Sequence, residues 1–97
     1  MEYNGKKIKF KLDLGAVKSV QKMTGKNFFS LKEGDFDADV YSALIYACAE
    51  RAGNKIPMEF IDGLSFKELF EVQKEIDGLM EDFLPEGEAV KNPTPQS

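Results

Sequence analysis

The chain has 97 residues, a formal net charge of −4, no histidine and a single cysteine, Cys48. A chain of this length builds one modest core, so we expect one domain. One cysteine and no histidine exclude an intramolecular disulfide and a Cys/His zinc site. Because no histidine is present to activate Cys48, we expect it to be a small buried apolar residue rather than a nucleophile.

The first predicted element is a β-hairpin. Its turn is Asn4-Gly5, a dipeptide that favours a type I′ turn because both of its positions need a positive φ. After the turn, lysines alternate with apolar residues, which is typical of a strand with one buried face. The pattern predicts a two-stranded ribbon made of Glu2-Tyr3 and residues 6–12, with its buried face formed by Ile8, Phe10 and Leu12.

A first helix is predicted to follow the ribbon. Asp13 occupies the N-cap position, and Leu12 and Val17 have the spacing of a hydrophobic staple around it. Gly25 is placed to end the helix, because glycine adopts the left-handed conformation at little cost. The apolar face is predicted to consist of Ala16, Val17, Val20 and Met23.

The hairpin, the lysine-alternating strand, the helix and the closing sequence Thr24-Gly25-Lys26-Asn27-Phe28-Phe29 together resemble the tail assembly chaperones of long-tailed, siphovirus-type bacteriophages and prophages. The resemblance covers residues 2 to about 31, and the remainder only in its helical order and acidic end. It implies a small non-enzymatic protein of the bacterial host cytoplasm. Its expected role is to bind the tape-measure protein and keep it soluble until the tail tube polymerises around it.

The resemblance also implies which partners to expect. The first is the tape-measure protein. In the resembled family a programmed ribosomal frameshift beyond the helical domain gives a longer form, through which the tail tube protein is a further partner, and a homo-oligomer is compatible with the same role. On the residues alone, the alternative is a small acidic protein-interaction domain of unrelated role, such as another phage morphogenesis factor or an inhibitor of a host protein.

Charge is unevenly distributed along the chain. Residues 1–32 carry eight lysines against Glu2 and Asp13, whereas residues 33–97 carry five basic and fifteen acidic residues. We interpret the lysines first as the exposed face and edge of the ribbon, and second as a surface for protein contact. Nucleic-acid binding is not expected, because the segment lacks arginine and the aromatic–basic interleaving of single-strand binders.

The next segment, residues 27–36, is predicted to be a loop packed under the domain by four apolar anchors: Phe28, Phe29, Leu31 and Phe36. Asp35, Asp37 and Asp39 then resemble the start of an EF-hand. The sixth position of that loop is Val40 rather than glycine and the twelfth is Tyr46 rather than glutamate, so no calcium site is expected. We interpret these carboxylates as the N-cap and first-turn charges of a second helix.

That second helix is predicted to run from about Ala38 to Ala52 and, being apolar nearly all round, to lie at the centre of the core. Pro57 suits the start of a short helical turn closed by Gly63. Ser65 and Glu68 form a capping box, after which the last helix is predicted to extend to about Leu84. Its apolar seam is Leu69, Val72, Ile76, Leu79 and Phe83.

The predicted fold class is therefore α+β and mainly helical: an N-terminal β-hairpin followed by three main helices and one short helical turn. Residues 1–84 are expected to form a single compact domain, and residues 85–97, rich in Pro, Gly and charged residues, a disordered tail. The predicted core is Phe10, Leu12, Val17, Val20, Leu44, Ile45, Leu69, Val72 and Ile76.

No enzymatic activity is expected, because no pattern of catalytic residues is present. Gly25-Lys26 lacks the other residues of a phosphate-binding loop, so no cofactor is expected, and neither a metal site nor a membrane span is predicted. Instead, apolar residues crowd the end of the last helix and suit a helical client. The predicted partner-binding residues are Met80, Phe83 and Leu84, with Phe28 and Phe29 next in line.

Overall fold

The structure is a computed structural model that describes residues 1–83, apart from the side chain of Glu33. The predicted fold class is confirmed: the chain is mainly helical, with an N-terminal antiparallel hairpin and four α-helices, one of them short. Two short 3-10 turns, Phe28–Ser30 and Glu33–Asp35, join the first two helices. The elements are β1 (Glu2–Tyr3), β2 (Lys6–Lys7), α1 (Leu14–Thr24), α2 (Ala38–Arg51), α3 (Met58–Asp62) and α4 (Phe66–Phe83).

The hairpin turn has the backbone that its sequence predicts. Asn4 has a φ of 53° and Gly5 a φ of 77°, as both central positions of a type I′ turn require. Strands β1 and β2 pair in an antiparallel register, with Tyr3 opposite Lys6 and Glu2 opposite Lys7.

The second strand is shorter than predicted. The last bond of the hairpin is the one that the backbone N–H of Ile8 donates to the carbonyl of Met1 at 2.8 Å. Beyond that point the extended segment runs beside the end of α2: the N–H of Lys11 donates to the carbonyl of Cys48 at 2.9 Å, and the side chain of Asn54 donates to the carbonyl of Lys9 at 3.2 Å. The carbonyl of Lys9 and the N–H of Lys11 therefore find their partners at the end of α2 and just beyond it, rather than in a strand ladder.

Helix α1 is capped as predicted at both ends. The carboxylate of Asp13 accepts a hydrogen bond from the N–H of Ala16 at 3.0 Å, and Gly25 has a φ of 73° and donates to the carbonyl of Gln21. Ala16, Val17 and Val20 are buried. Met23 is exposed rather than buried, so the apolar face of α1 ends one turn earlier than its spacing predicts.

Helix α2 forms the centre of the core, as predicted. Asp37 is its N-cap and accepts from the N–H of Val40 at 3.0 Å, and Asp39 lies in its first turn. Asp35 differs from the prediction, because its carboxylate accepts from the N–H of Lys32 at 2.9 Å and belongs to the preceding turn. The buried residues of α2 are Val40, Ala43, Leu44, Ile45, Ala47, Cys48 and Ala49.

A charged fork joins the start of α1 to the end of α2. The guanidinium of Arg51 donates from Nε to Asp13 Oδ1 at 3.0 Å and from Nη2 to Asp13 Oδ2 at 2.9 Å, the two-point geometry that a carboxylate and arginine favour. Arg51 also lies over Gly15, where an added Cβ would come within 2.8 Å of its guanidinium carbon. Gly15 thus leaves room for the fork.

Helices α3 and α4 follow as predicted. Pro57 lies immediately before α3, and Phe60 of α3 packs edge-on against Tyr3 of the hairpin with ring centroids 4.8 Å apart. The capping box forms before α4: the N–H of Ser65 donates to Glu68 Oε1 at 3.1 Å and the N–H of Glu68 donates to Ser65 Oγ at 3.2 Å.

Most of the predicted core is confirmed. Val17, Val20, Leu44, Ile45, Val72 and Ile76 are buried, whereas Phe10, Leu12 and Leu69 are only half-buried at the margin of the core. Ile8, earlier on the extended segment, takes the buried position. The division into a domain of residues 1–84 and a tail of residues 85–97 stays a prediction, because positions 84–97 lie outside the described residues.

Candidate protein-binding surface

An exposed aromatic pair lies where the loop after α1 meets the last turns of α4. Phe29 is 60% exposed, and its ring stacks on that of Phe83 with centroids 6.4 Å apart and planes inclined by 17°. The side chain of Asn27 accepts from the N–H of Phe29 at 3.1 Å and caps the short 3-10 turn. That turn directs one phenylalanine inward and the next outward.

The predicted partner-binding residues are therefore only partly brought together. Phe28 is 5% exposed, so it anchors the loop as predicted and is not available to a partner. Phe29 was predicted both as a packed anchor of the loop and as a partner-binding residue, and it is exposed rather than buried. Met80 and Phe83 are half-buried and pack against the core, and Leu84 lies outside the described residues.

The pair is one end of a longer series of ring contacts, here called the aromatic row. Phe28 contacts Phe29 edge-on at 5.8 Å and Phe36 at 6.5 Å, and Phe36 in turn contacts Tyr41 of α2 at 6.0 Å. Successive ring contacts of this kind hold each ring in place. The aromatic row thus links the end of α4 to the first turn of α2.

A groove opens at the other end of the aromatic row, between the first turns of α2, the end of α3 and the first turns of α4. Its volume is about 430 Å³. Phe36 and Tyr41 line one side, and Phe66 and Leu69 line the other. Apolar side chains complete the lining, among them Ile45, Ile61 and Leu64.

Sequence reasoning missed two strongly exposed aromatic residues of α4. Phe66 is 78% exposed and Phe70 is 59% exposed, and their rings stack with centroids 6.4 Å apart. Both residues deviate from the apolar seam, the pattern by which the buried face of a helix is recognised. That deviation was itself the available signal, since a large apolar residue off the buried face of a capped helix is expected to lie in solvent.

The charges around the groove are acidic. Asp37 and Asp62 are the charged residues that line it. Asp37 is already engaged, because Lys26 Nζ lies 3.0 Å from its Oδ2. The hydrogen bond from the N–H of Val40 and, after it, the contact with Lys26 lower the pKa of Asp37. Asp62 forms no ion pair with the described residues.

A second acidic group lies beside Tyr41. The pKa of Asp77 on α4 is raised, mainly because neighbouring side chains remove part of its water and further because Glu81 lies one turn away. Partial burial and, to a lesser extent, the charge of Asp77 raise the pKa of Tyr41 as well. Among the described residues, no lysine or arginine lies within ion-pair distance of Asp77.

Among the described residues, the lysines of the hairpin and of the extended segment form no ion pair with these acidic groups. Lys6, Lys7, Lys9 and Lys11 are all exposed, which agrees with their interpretation as the solvated face of the ribbon.

Cys48 is buried in α2, and burial raises the pKa of its thiol to about 12. The thiol is therefore protonated at neutral pH and inaccessible.

Within the described residues, no cluster of three or more His, Cys, Asp or Glu side chains is arranged to hold a metal ion. No helix in the same part of the chain is both long enough and apolar enough to cross a membrane.

Comparisons of the chain with protein families, curated proteins and solved structures found no match.

Proposed function

We propose that this protein is a non-enzymatic tail assembly chaperone of a long-tailed phage or prophage, which binds the tape-measure protein and keeps it soluble during tail morphogenesis. The proposal starts from the resemblance of residues 2 to about 31. Three signals in that stretch have a matching feature in the fold, namely positive φ angles at Asn4 and Gly5, a capping carboxylate at Asp13 and a left-handed glycine at Gly25. The lysine-alternating strand is the exception, because it pairs only over Lys6–Lys7. These features support the fold of the resembled segment, and the client is inferred from the resemblance.

The observation that carries the binding part of the proposal is the stacked pair of Phe29 and Phe83. An aromatic ring that is 60% exposed offers apolar area whose removal from water favours binding. Phe83 is fixed by α4 and Phe29 by the capped 3-10 turn, so little side-chain freedom is lost when a partner covers them. An apolar helix of the tape-measure protein suits such a surface.

Phe29 provides the sharpest test, because Met80 and Phe83 also pack against the core and their replacement would disturb the fold. The protein is co-expressed with fragments of the tape-measure protein encoded downstream, and Phe29→Glu is compared with the parent. We expect the variant to lose most of the co-purifying fragment while its circular dichroism and melting temperature stay near those of the parent.

Leu14→Glu is the matched control. Leu14 is also a large exposed apolar residue, at 55%, but it lies at the start of α1 beside the opposite end of α2. The Leu14→Glu variant should therefore bind the fragment as the parent does. Equal capture by Phe29→Glu and the parent would contradict the assigned surface, and failure of every tape-measure fragment to co-purify with the parent would contradict the function.

Gene order gives an independent check. A very long tape-measure gene immediately downstream, with a slippery heptamer near the end of this gene, is expected for a tail assembly chaperone that also has a longer frameshifted form. An unrelated downstream gene would favour an acidic interaction domain of another role.

A further inference from the structure

One flank of α4 is left uncovered by the rest of the described chain. Phe66, Phe70, Gln73, Asp77 and Met80 follow one another at spacings of four, three, four and three, and so share one side of the helix. Phe66, Phe70 and Asp77 are exposed, and the other two are half-buried. This set is called the α4 flank below.

The α4 flank and the aromatic row border the same path. Phe36 and Tyr41 belong to the aromatic row and also line the groove, whose other side includes Phe66. The aromatic row ends at Phe83, seventeen residues after Phe66 on the same helix, a distance of ~25 Å at 1.5 Å per residue. An apolar path therefore extends along α4 from its first turn to its last.

The charges on this path have one sign. The charged residues that line the groove are Asp37 and Asp62, and the charged residue of the α4 flank is Asp77. Among the described residues, Asp62 and Asp77 have no lysine or arginine within ion-pair distance, whereas Asp37 has Lys26. Partial burial and, to a lesser extent, the nearby charge of Glu81 raise the pKa of Asp77, so an incoming cation at this position would relieve unfavourable charge.

We infer that the groove and the α4 flank bind an amphipathic helix, on the order of 17 residues long, that carries lysine or arginine beside its apolar stripe. The inference extends the proposed function, from which it takes a helical client. The apolar stripe covers Phe66, Phe70 and the groove, and the cations face Asp62 and Asp77. A helix that is equally apolar but acidic is repelled, so the charges select among client segments.

The test uses the full chain and two synthetic 18-residue peptides. Both carry leucines at helical i, i+3, i+4 and i+7 spacing, and the flanking positions are lysine in one peptide and glutamate in the other. Fluorescence anisotropy measures the Kd of each labelled peptide. We expect the lysine peptide to bind at least about tenfold more tightly at low salt, with a preference that shrinks as salt screens the charges.

Variants separate a specific site from general attraction to an acidic protein. The double variant Phe66→Ser, Phe70→Ser should bind the lysine peptide about tenfold or more less tightly, since it removes both exposed rings. Asp77→Lys should bind the lysine peptide less tightly and the glutamate peptide more tightly. Glu75→Lys changes the net charge by the same amount on roughly the opposite side of α4, and should have a much smaller effect, as should Leu14→Ser.

Several results would overturn the inference. Equal binding of both peptides, or equal effects of Asp77→Lys and Glu75→Lys, would remove the charge selection. A change in molar mass in the double variant would make the occupant a second copy of the chain. Altered NMR signals from residues 84–97 in that variant would make the occupant the chain's own C-terminal segment.

The two proposals fail separately. If tape-measure fragments bind through Phe29 but neither peptide depends on the α4 flank, the function stands and this inference is wrong. If the lysine peptide binds as expected but no tape-measure fragment does, the site stands and the proposed function is wrong.

Discussion

The joint between α1 and α2 differs from the outer side of α4, although both present apolar residues at helical spacing. At the joint, Val17, Val20, Leu44 and Cys48 are fully covered, and the fork between Asp13 and Arg51 closes one end. Along α4 only Val72 and Ile76 are buried, and two large aromatic residues lie in solvent. The same kind of sequence pattern thus forms a closed core in one region and a half-covered surface in the other.

This difference has an energetic meaning. Apolar area that the fold covers contributes to the stability of the chain alone, whereas exposed apolar area contributes only when a partner covers it. Substitutions at the joint should therefore change stability, and substitutions on the outer side of α4 should change binding.

The largest effect is expected at the joint. Leu44 is fully buried at the centre of α2, so Leu44→Ala should lower the free energy of unfolding by ~2–5 kcal/mol. Leu69 is half-buried beside the groove, so Leu69→Ala should lower the free energy of unfolding by only ~1–2 kcal/mol. Urea denaturation measures both, and equal losses would mean that α4 is packed as completely as α2.

The fork and cap at Asp13 are expected to contribute less. Asp13→Ala removes the N-cap of α1 and should cost ~1 kcal/mol at neutral pH. The bonds from Arg51 and from the N–H of Ala16 lower the pKa of Asp13 below its ordinary 3.8. Because the pKa of Asp13 is lower in the folded than in the unfolded state, the stabilisation is complete at pH values above the unfolded-state pKa. It is lost as pH falls through the folded-state pKa.

Thermal melts as a function of pH check this expectation. The difference in melting temperature between the parent and Asp13→Ala should be constant from neutral pH down to about pH 5 and should shrink below about pH 4. A difference that persisted unchanged at the lowest pH would mean that the charge of Asp13 is unimportant.

Asp77 should behave in the opposite way. Its pKa in the folded state is raised, so stability is lost as pH rises from the unfolded pKa through the folded one. Asp77→Asn should therefore be slightly more stable than the parent at neutral pH, with the gain vanishing below about pH 4, and should bind the lysine peptide less tightly. Glu81→Gln, which removes the lesser cause, should give a smaller gain. Lower stability in Asp77→Asn would show that the carboxylate has a structural role.

The smallest expected effect is that of calcium. Asp37 caps α2 and pairs with Lys26, and Asp35 accepts from the backbone of Lys32, so these carboxylates are already engaged. Millimolar calcium should leave the melting temperature unchanged, because a ligand that binds the folded state would raise it. A rise of several degrees would overturn the capping interpretation.

Local signals in the sequence predicted most of the fold. The Asn4-Gly5 turn, the caps at Asp13 and Asp37, and the Ser65–Glu68 box act within a few residues, so their outcome follows from local chemistry. Strand length was predicted less well, because the pairing of residues 8–12 depends on the end of α2, which is remote in sequence. The alternating pattern there shows which side is buried, not what covers it.

The candidate surface was less predictable for a similar reason. Phe28 and Phe29 are identical neighbours, and only the geometry of the capped turn decides which of them is buried. The contact between Phe29 and Phe83 joins two segments that are distant in sequence, and no local pattern signals it. Phe66 and Phe70 differ from them, because both lie off the apolar seam of α4. Helical periodicity alone therefore indicates that they are exposed.

Hydrogen–deuterium exchange of the full chain, with and without a bound tape-measure fragment, tests the central claim most directly. If the outer side of α4 and the aromatic pair form the client surface, amide protection should rise in Phe28–Ser30 and along α4, while α1 stays unchanged. Protection that rose only in the hairpin and α1, with α4 unaffected, would contradict the claim and would direct attention to the exposed lysines of β2.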